Sequence, residues 1–162
     1  MSKLLSFPNP VNEKAARVVA GGVVLIALLA LLTGWLWLSA VLFAGFALRV
    51  ASGPRFSPLG QLATRVIAPR LGEAKLVAGP PKRFAQTIGL VVTGGATLAW
   101  FGAGSALATE ILLGLIVVAA TLESVFAICL GCLAFGWLMR VGVIPEETCE
   151  ACNNVAARYG TA

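Results

Sequence analysis

The sequence contains no histidine and no aspartate, and all seven of its acidic residues are glutamates. The absence of histidine excludes acid–base catalysis and metal ligation by imidazole. The sequence also has no P-loop, no dinucleotide-binding glycine motif and no serine–histidine–aspartate combination. Charged residues make up only 12% of the chain, whereas about a quarter is usual for a soluble domain. The chain therefore lacks the common catalytic and nucleotide-binding motifs and has few of the charged residues that are typical of a soluble enzyme.

Apolar residues dominate the chain instead. They make up 59% of it, and the mean hydropathy is +0.92. This composition predicts an integral membrane protein in contact with the lipid bilayer. The net charge of +5 does not point to nucleic acid, because the basic residues are confined to the segments between apolar runs.

Two long stretches, 18–48 and 84–139, contain no lysine or arginine. Each exceeds the roughly 20 apolar residues of one membrane-spanning helix. Each also has a turn signal near its middle, at Thr33-Gly34 and in the segment FGAGSA. The pattern therefore predicts an all-α protein, a four-helix transmembrane bundle made of two helical hairpins. The predicted spans lie at about 18–33, 35–50, 85–101 and 107–130, with the last helix continuing to 139.

The charge distribution predicts how this single domain, 1–162, is oriented. With two hairpins, the N-terminal segment, the loop 51–84 and the C-terminal segment 131–162 share one side of the membrane. All twelve basic residues lie in the N-terminal segment, in 49–83 or after Met139, so the positive-inside rule places these regions in the cytoplasm. We expect a multi-pass protein of the cell membrane with both termini in the cytoplasm.

The connecting segment 52–83 is too long for a bare loop. Ser57-Pro58 is typical of a helix start, and the apolar residues that follow have helical spacing with arginines nearby. This predicts a short amphipathic helix that contacts anionic lipid at the inner surface of the membrane. The alternative is a site for a substrate anion, for which Lys82 and Arg83 are the best candidates.

All four cysteines occur in two Cys-x-x-Cys pairs, Cys129/Cys132 and Cys149/Cys152. The predicted register places the first pair at the inner boundary of the membrane. Gly142 and Pro145 then predict a turn, so that a cysteine-bearing helical hairpin at the C-terminus brings four sulfur atoms into one cluster.

Three interpretations of this cluster remain open. The spacing C-x2-C-x16-C-x2-C falls in the range for a four-thiolate zinc site. A thiol–disulfide relay fits the location, since one pair lies at the membrane and the other is exposed to the cytosol. The glutamates near the second pair oppose the relay, because negative charge raises a thiol pKa. The third interpretation is two structural pairs packed as small apolar groups.

Glu123 lies near mid-membrane in the predicted register, nearly two turns before Cys129. An ionisable group at that depth suggests function, here a proton relay coupled to thiol chemistry. The alternative is a protonated carboxyl group that is hydrogen-bonded to Thr93 or Thr97 of a neighbouring helix.

Several segments carry a family resemblance: FPNPVNEKAAR at 7–17, FALRVASGPRFSPLGQLA at 46–63, GPPKRFAQ at 79–86, and CLGC followed by CEAC. Together they resemble the actinobacterial "domain of unknown function 4395" family of integral membrane proteins. A coarser similarity is to four-helix membrane proteins of the DoxX type. The resemblance implies sulfur or thiol chemistry with a thioredoxin-like or sulfurtransferase partner, and it defines no catalytic residues.

The residues thus predict a membrane component that exchanges electrons or sulfur with a soluble cytosolic partner through Cys149/Cys152 and Cys129/Cys132. The second hypothesis is a non-enzymatic membrane scaffold in which the four cysteines bind zinc. Transport of a small sulfur anion is the third, although the first two predicted spans offer few polar side chains for a path.

Overall fold

The computed structural model describes residues 7–149, with the backbone alone for Glu146 and Cys149. Within this range the chain is mainly helical, as predicted. The helices are α1 Glu13–Thr33, α2 Leu38–Ser52, α3 Pro58–Leu62, α4 Gly79–Phe101, α5 Ala106–Phe126 and α6 Leu130–Arg140. Two short strands, β1 Val11–Asn12 and β2 Leu76–Val77, pair in antiparallel fashion and join the N-terminal segment to the chain just before α4.

Three of these helices are long and apolar enough to cross a membrane. They are α1, α4 and α5, with 21, 23 and 21 residues. At 1.5 Å per residue, 21 residues extend about 32 Å, which matches a hydrocarbon core of about 30 Å. Helix α2 has 15 residues and extends only about 22 Å. The architecture is consistent with a multi-pass membrane protein, and the fourth crossing stays a prediction.

Both predicted turns occur. Helix α1 ends at Thr33, and Gly34 follows with φ 74°, a conformation that glycine adopts without steric cost. Helix α4 ends at Phe101, and α5 begins after Ser105, whose hydroxyl accepts a hydrogen bond from the amide of Ala108. An N-cap of this kind satisfies one of the free amides of a helix start.

Small residues lie in several helix contacts, and many large apolar residues are exposed. Helix α1 packs along α5, α2 along α4, and α4 along α5. Ala27 and Ala30 of α1 and Ala96 of α4 are completely buried, so the backbones can approach closely. By contrast, Leu32 is 83% exposed and Leu98 is 73% exposed. Leucines on the outside and alanines in the contacts are the arrangement expected for helices surrounded by lipid.

One end of the molecule gathers the starts of α1 and α4 and the ends of α2 and α5; we call it the charged end. The Nε of Arg17 donates to the carbonyl of Ser124 at 3.0 Å, which joins α1 to α5. The Nε of Arg49 donates to Oε1 of Gln86 at 2.9 Å, which joins α2 to α4. These contacts give α1/α2 and α4/α5 the hairpin arrangement that the charge pattern predicts.

The predicted continuous helix from 107 to 139 is wrong. Helix α5 ends at Phe126, and Ala127 adopts a left-handed conformation with φ 58° and ψ 22°. The amides of Ala127 and Ile128 both donate to the carbonyl of Leu122, which caps the helix. Because no glycine or proline marks this position, the sequence carries no local signal for the break.

Packing against α4 explains why the chain turns here. A Cβ added at Gly131 would lie only 2.5 Å from Cα of Ala85, so α6 lies directly on the backbone of α4. Further along α6, the rings of Phe135 and Phe84 lie 5.6 Å apart. A straight continuation of α5 would leave these apolar groups apart, so tertiary contact outweighs local helix propensity.

The segment between α2 and α4 confirms the predicted helix start at Ser57, whose hydroxyl accepts from the amide of Gly60. Helix α3 continues as a wider turn, Ala63–Ile67, and then a 3-10 turn, Ala68–Leu71. The buried Ala63 and Ala68 pack on the beginning of α1. The large apolar side chains Leu62, Val66 and Leu71 are instead exposed.

Candidate thiol site at the charged end

The break after α5 places Cys129 directly before the first residue of a new helix. Cys129 is the N-cap of α6, and its Sγ accepts a hydrogen bond from the amide of Cys132 at 3.3 Å. The side chain is only 8% exposed. The amides and dipole at a helix start stabilise negative charge, so this position favours the thiolate of Cys129.

The two sulfur atoms of the first pair lie very close together. Cys129 and Cys132 are not joined in a disulfide, and their Sγ atoms are 2.6 Å apart. A disulfide bond is about 2.05 Å long, so oxidation of this pair by a two-electron oxidant would need only a small side-chain movement. The thiol of Cys132 donates to Cys129, which holds the pKa of Cys129 below its usual range. The same hydrogen bond raises the pKa of Cys132. The hydrogen bond therefore favours the thiolate form at Cys129 and opposes it at Cys132.

A buried ion pair lies beside the thiols. The Nζ of Lys82 lies 2.6 Å from Oε1 of Glu123, and the two side chains are 10% and 16% exposed. Both residues act electrostatically on Cys129 and Cys132. Lys82 favours the charged form of each thiol, whereas Glu123 opposes it. The site thus combines two thiols with a cation that lowers their pKa values and an anion that raises them.

The predicted surroundings of Glu123 are wrong in two respects. Glu123 is in the last turn of α5 rather than near mid-membrane, because the helix ends at Phe126. Its carboxylate is paired with Lys82 rather than with a threonine. The hydroxyls of Thr93 and Thr97 donate to carbonyls of their own helix.

The structure separates the two predicted anion-binding residues. Lys82 is buried and faces Glu123, whereas Arg83 is exposed at the surface of α4. Lys82 therefore belongs to the thiol site. Arg83 remains available to an anion or a lipid head group.

Arg49 is a site residue that the sequence reasoning missed. It is only 5% exposed, and its guanidinium carbon lies 4.4 Å from the centre of the Phe46 ring. Nε bonds to Gln86 and Nη1 to the hydroxyl of Ser57, while Nη2 has no partner among the described residues. Arg49 also interacts electrostatically with Glu123. Its place directly after the uncharged stretch 18–48 is the signal that could have identified it.

Two surfaces meet at Cys129. The first, the thiol cleft, has a volume of about 550 Å³ and is lined by both thiols and by Glu13 and Lys82 among others. The second, the α4–α5 groove, has a volume of about 380 Å³. Its polar lining is Gln86, Glu123 and Cys129, and the rest is apolar. Cys132 lines the cleft but not the groove, so the two thiols differ in what can reach them.

The second cysteine pair falls outside this geometry. The side chain of Cys149 and the whole of Cys152 lie outside the described residues. The four-sulfur cluster and the C-terminal helical hairpin therefore stay predictions. Among the side chains that the structure describes, no three His, Cys, Asp or Glu residues are grouped closely enough to hold a metal ion.

Comparison with known proteins places the chain by sequence. No curated protein and no solved structure gives a significant match. A family model described as a domain of unknown function, DUF4395, matches residues 11–140 of the 162. The matched range includes Lys82, Glu123 and the first cysteine pair, and it ends before the second pair. Since the match covers well over half of the sequence, the chain belongs to the DUF4395 family.

Proposed function

We propose that the protein is a membrane thiol–disulfide component whose reactive centre is the Cys129/Cys132 pair. The observation that carries this proposal is the position of Cys129 at the start of α6, with its sulfur 2.6 Å from that of Cys132. A Cys-x-x-Cys pair at a helix start provides an activated nucleophile and a resolving thiol.

The exchange reaction follows from this arrangement. The thiolate of Cys129 attacks a disulfide of the partner, and one partner sulfur leaves as a thiolate. Cys132 then loses its proton and attacks Cys129 Sγ, which breaks the mixed disulfide and releases the second partner thiol. Two electrons pass to the partner, and Cys129 and Cys132 are left as a disulfide. The reverse sequence reduces the pair.

The charges at the site support an ionised Cys129. Two cations, Arg49 and Lys82, interact with the single carboxylate of Glu123. An unbalanced charge is costly to bury, and a thiolate on Cys129 would balance it. Glu123 would hold Lys82 beside the thiols and accept or return a proton as Cys132 ionises. This is the proton relay that the sequence suggested, now at the end of α5.

The partner is proposed to be a soluble cytosolic protein of the thioredoxin-like or sulfurtransferase kind. Cys149 and Cys152 would receive electrons or sulfane sulfur from it and pass them to the inner pair. For this route the charged end faces the cytoplasm, α2 makes the fourth crossing of a four-helix bundle in the cell membrane, and both termini are cytoplasmic. The exposed Leu62, Val66 and Leu71 would rest on anionic lipid beside Arg65 and Arg70.

A redox titration with metal analysis tests this function. The full-length protein is purified anaerobically in detergent, bound metal is measured, and free thiols are counted before and after equilibration with reduced or oxidised glutathione. We expect metal-free protein in which Cys129 and Cys132 form a reversible two-electron couple. The C129S variant should lose this couple, whereas a C149S/C152S variant should keep it.

The same experiment tests the zinc scaffold. Stoichiometric zinc together with thiols that do not react would contradict the redox proposal and support a four-cysteine metal site. The C149S/C152S variant distinguishes the two again, because it should lose zinc if the four sulfurs form one site and should keep the couple if they do not.

A further inference from the structure

The α4–α5 groove leads from the lipid-facing surface to a reactive sulfur. Its walls are apolar residues of α4, α5 and α6 together with Phe46 of α2, and Ile88 and Leu115 on its lining are 41% and 56% exposed. From Leu115 to Glu123 the groove follows α5 for about 12 Å. At the charged end it reaches Cys129, Glu123 and Gln86. A ligand that enters from the bilayer would therefore place its polar end beside Cys129, Glu123 and Gln86.

Cys129 is accessible from two different environments. It lines the thiol cleft together with Cys132, and it lines the α4–α5 groove without Cys132. A protein disulfide that enters the cleft and a lipid-soluble molecule in the groove can thus reach the same sulfur from different directions. A dithiol with two such entrances is arranged to transfer electrons between them.

The polar groups at the inner end of the groove fit a ring with carbonyl oxygens. Arginine only donates hydrogen bonds, so the oxygen of Gln86 faces Arg49 and its amide NH2 is left as the donor. The Lys82–Glu123 pair supplies a carboxylate at the groove and an ammonium beside it. An acyl chain would fill the apolar walls and would use none of these groups.

We infer that the α4–α5 groove binds an isoprenoid quinone, which exchanges two electrons with the Cys129/Cys132 pair. This inference rests on the redox function proposed above and names its membrane-side substrate. The thiolate of Cys129 adds to the quinone ring, and the electron pair displaced from the ring moves onto one ring oxygen. Cys132 then loses its proton and attacks Cys129 Sγ, so the carbon–sulfur bond breaks and its electron pair passes to the ring, which gives the disulfide and the hydroquinone. One ring oxygen takes the proton from Cys132 and the other takes a proton from water, so one quinone is reduced for each pair oxidised.

Anaerobic mixing tests the inference. The C149S/C152S variant is reduced, reconstituted in phospholipid nanodiscs and mixed with a short-chain ubiquinone or menaquinone analogue. Loss of quinone absorbance and loss of free thiols are followed together. We expect one quinone to be reduced for every two thiols lost, and we expect C129S to abolish the reaction.

Two matched variants test the groove. Ala119 lines it, so A119F should obstruct it and slow the reaction with quinone at least tenfold. Val118 is the neighbouring residue on α5, is 59% exposed and does not line the groove, so V118F should react as the unsubstituted protein does. Oxidation by glutathione disulfide, which reaches the pair through the cleft, should be unaffected in both variants.

The outcomes distinguish this inference from the function on which it rests. If glutathione disulfide oxidises the pair and quinone does not, the quinone inference is wrong and the thiol function stands. Equal rates for A119F and V118F would also overturn the groove as the binding site. If neither oxidant acts on Cys129 and Cys132, both proposals fail.

Discussion

The two thiols of the reactive pair have unequal surroundings, and this inequality governs their chemistry. The amide and the thiol of Cys132 both donate hydrogen bonds to the sulfur of Cys129. These hydrogen bonds stabilise a negative charge on the sulfur of Cys129 and oppose one on the sulfur of Cys132. Nothing in the spacing C-x-x-C alone states which cysteine is the nucleophile. The helix start at Leu130 distinguishes the two, since Cys129 is at the N-cap, and the proposed function therefore assigns the nucleophilic role to Cys129.

This inequality predicts the pH dependence of alkylation. In the reduced C149S/C152S variant, iodoacetamide should modify Cys129 first, and the rate should rise with pH through a pKa below that of an ordinary thiol. The rate rises with pH because only the thiolate of Cys129 reacts. The pKa of Cys129 is lowered because the thiol of Cys132 stabilises that thiolate through a hydrogen bond. C132A removes that donor and should move the profile to higher pH. An unchanged profile in C132A would contradict the assignment of roles.

Lys82 and Glu123 should shift the same profile in opposite directions. The ammonium of Lys82 favours the Cys129 thiolate and the carboxylate of Glu123 opposes it. K82M should therefore move the alkylation profile to higher pH, and E123Q to lower pH. A shift of one pH unit changes the thiolate fraction about tenfold on the acidic side.

The neighbouring cation provides the control. R83M removes a positive charge one residue away, from an exposed side chain. We expect it to leave the profile unchanged. If K82M and R83M act alike, the effect is a general one of surface charge and the buried pair has no specific role. The double variant K82M/E123Q, which removes both charges, checks that the shifts are not caused by loss of folding.

The element on which the site depends is α6, because its N-cap residue is Cys129, the proposed nucleophile. Its position against α4 is set by Gly131, where a Cβ would collide with the backbone of Ala85. We expect G131A to displace α6 and to destabilise the protein by about 1–3 kcal/mol, the usual cost of overpacking. Thermal unfolding in detergent and the alkylation rate of Cys129 measure the two effects.

G136A is the matched change on the same helix. A Cβ at Gly136 meets nothing within 4 Å, so only helix propensity changes. Replacing a glycine inside a helix by alanine should leave the protein as stable or stabilise it by up to about 1 kcal/mol. If G131A and G136A behave alike, the docking of α6 on α4 does not position the thiol.

The elements could be predicted from the sequence wherever the signal is local. Thr33-Gly34, the segment at 101–106 and the Ser57-Pro58 start were predicted from turn and capping residues, and all three are confirmed. The family resemblance is also confirmed. The break at Ala127 could not be predicted, because alanine is a strong helix former and the cause is the distant contact with α4.

The residues of the site also divide into those that the sequence could predict and those that it could not. The first cysteine pair and Glu123 were identified as candidates because thiols and carboxylates are rare in apolar stretches. The pairing of Glu123 with Lys82 could not be foreseen, since it joins residues 41 positions apart in sequence. Arg49 was missed because an arginine at the end of a span usually reaches the head groups, whereas this one is buried. The similarity to proteins of the DoxX type stays a prediction.

No lysine or arginine occurs in the turns 34–37 and 102–105, whereas the charged end holds several, and this asymmetry of basic residues predicts the orientation. Ala103 lies in the turn between α4 and α5, and Ala74 lies in the segment before β2; both are exposed. In a variant without other cysteines, A103C should react with a membrane-impermeant maleimide on intact cells. A74C should react only after lysis. If A74C is labelled on intact cells, the charged end does not face the cytoplasm and the proposed cytosolic partner is wrong.

The hydrogen bonds of Arg17 also bear on the order in which the protein is assembled during synthesis. Arg17 is at the start of the first span, yet its acceptors, the carbonyls of Ser124 and Val125, are 107 and 108 residues further along the chain. The ion pair of Lys82 likewise cannot form until Glu123, 41 residues later, has been translated. The charged end is thus completed only when α5 has entered the membrane, and Cys129 is translated directly after it. A nascent chain that stops short of this point has no organised thiol pair, so the Cys129/Cys132 site can form only after α1, α4 and α5 have packed together.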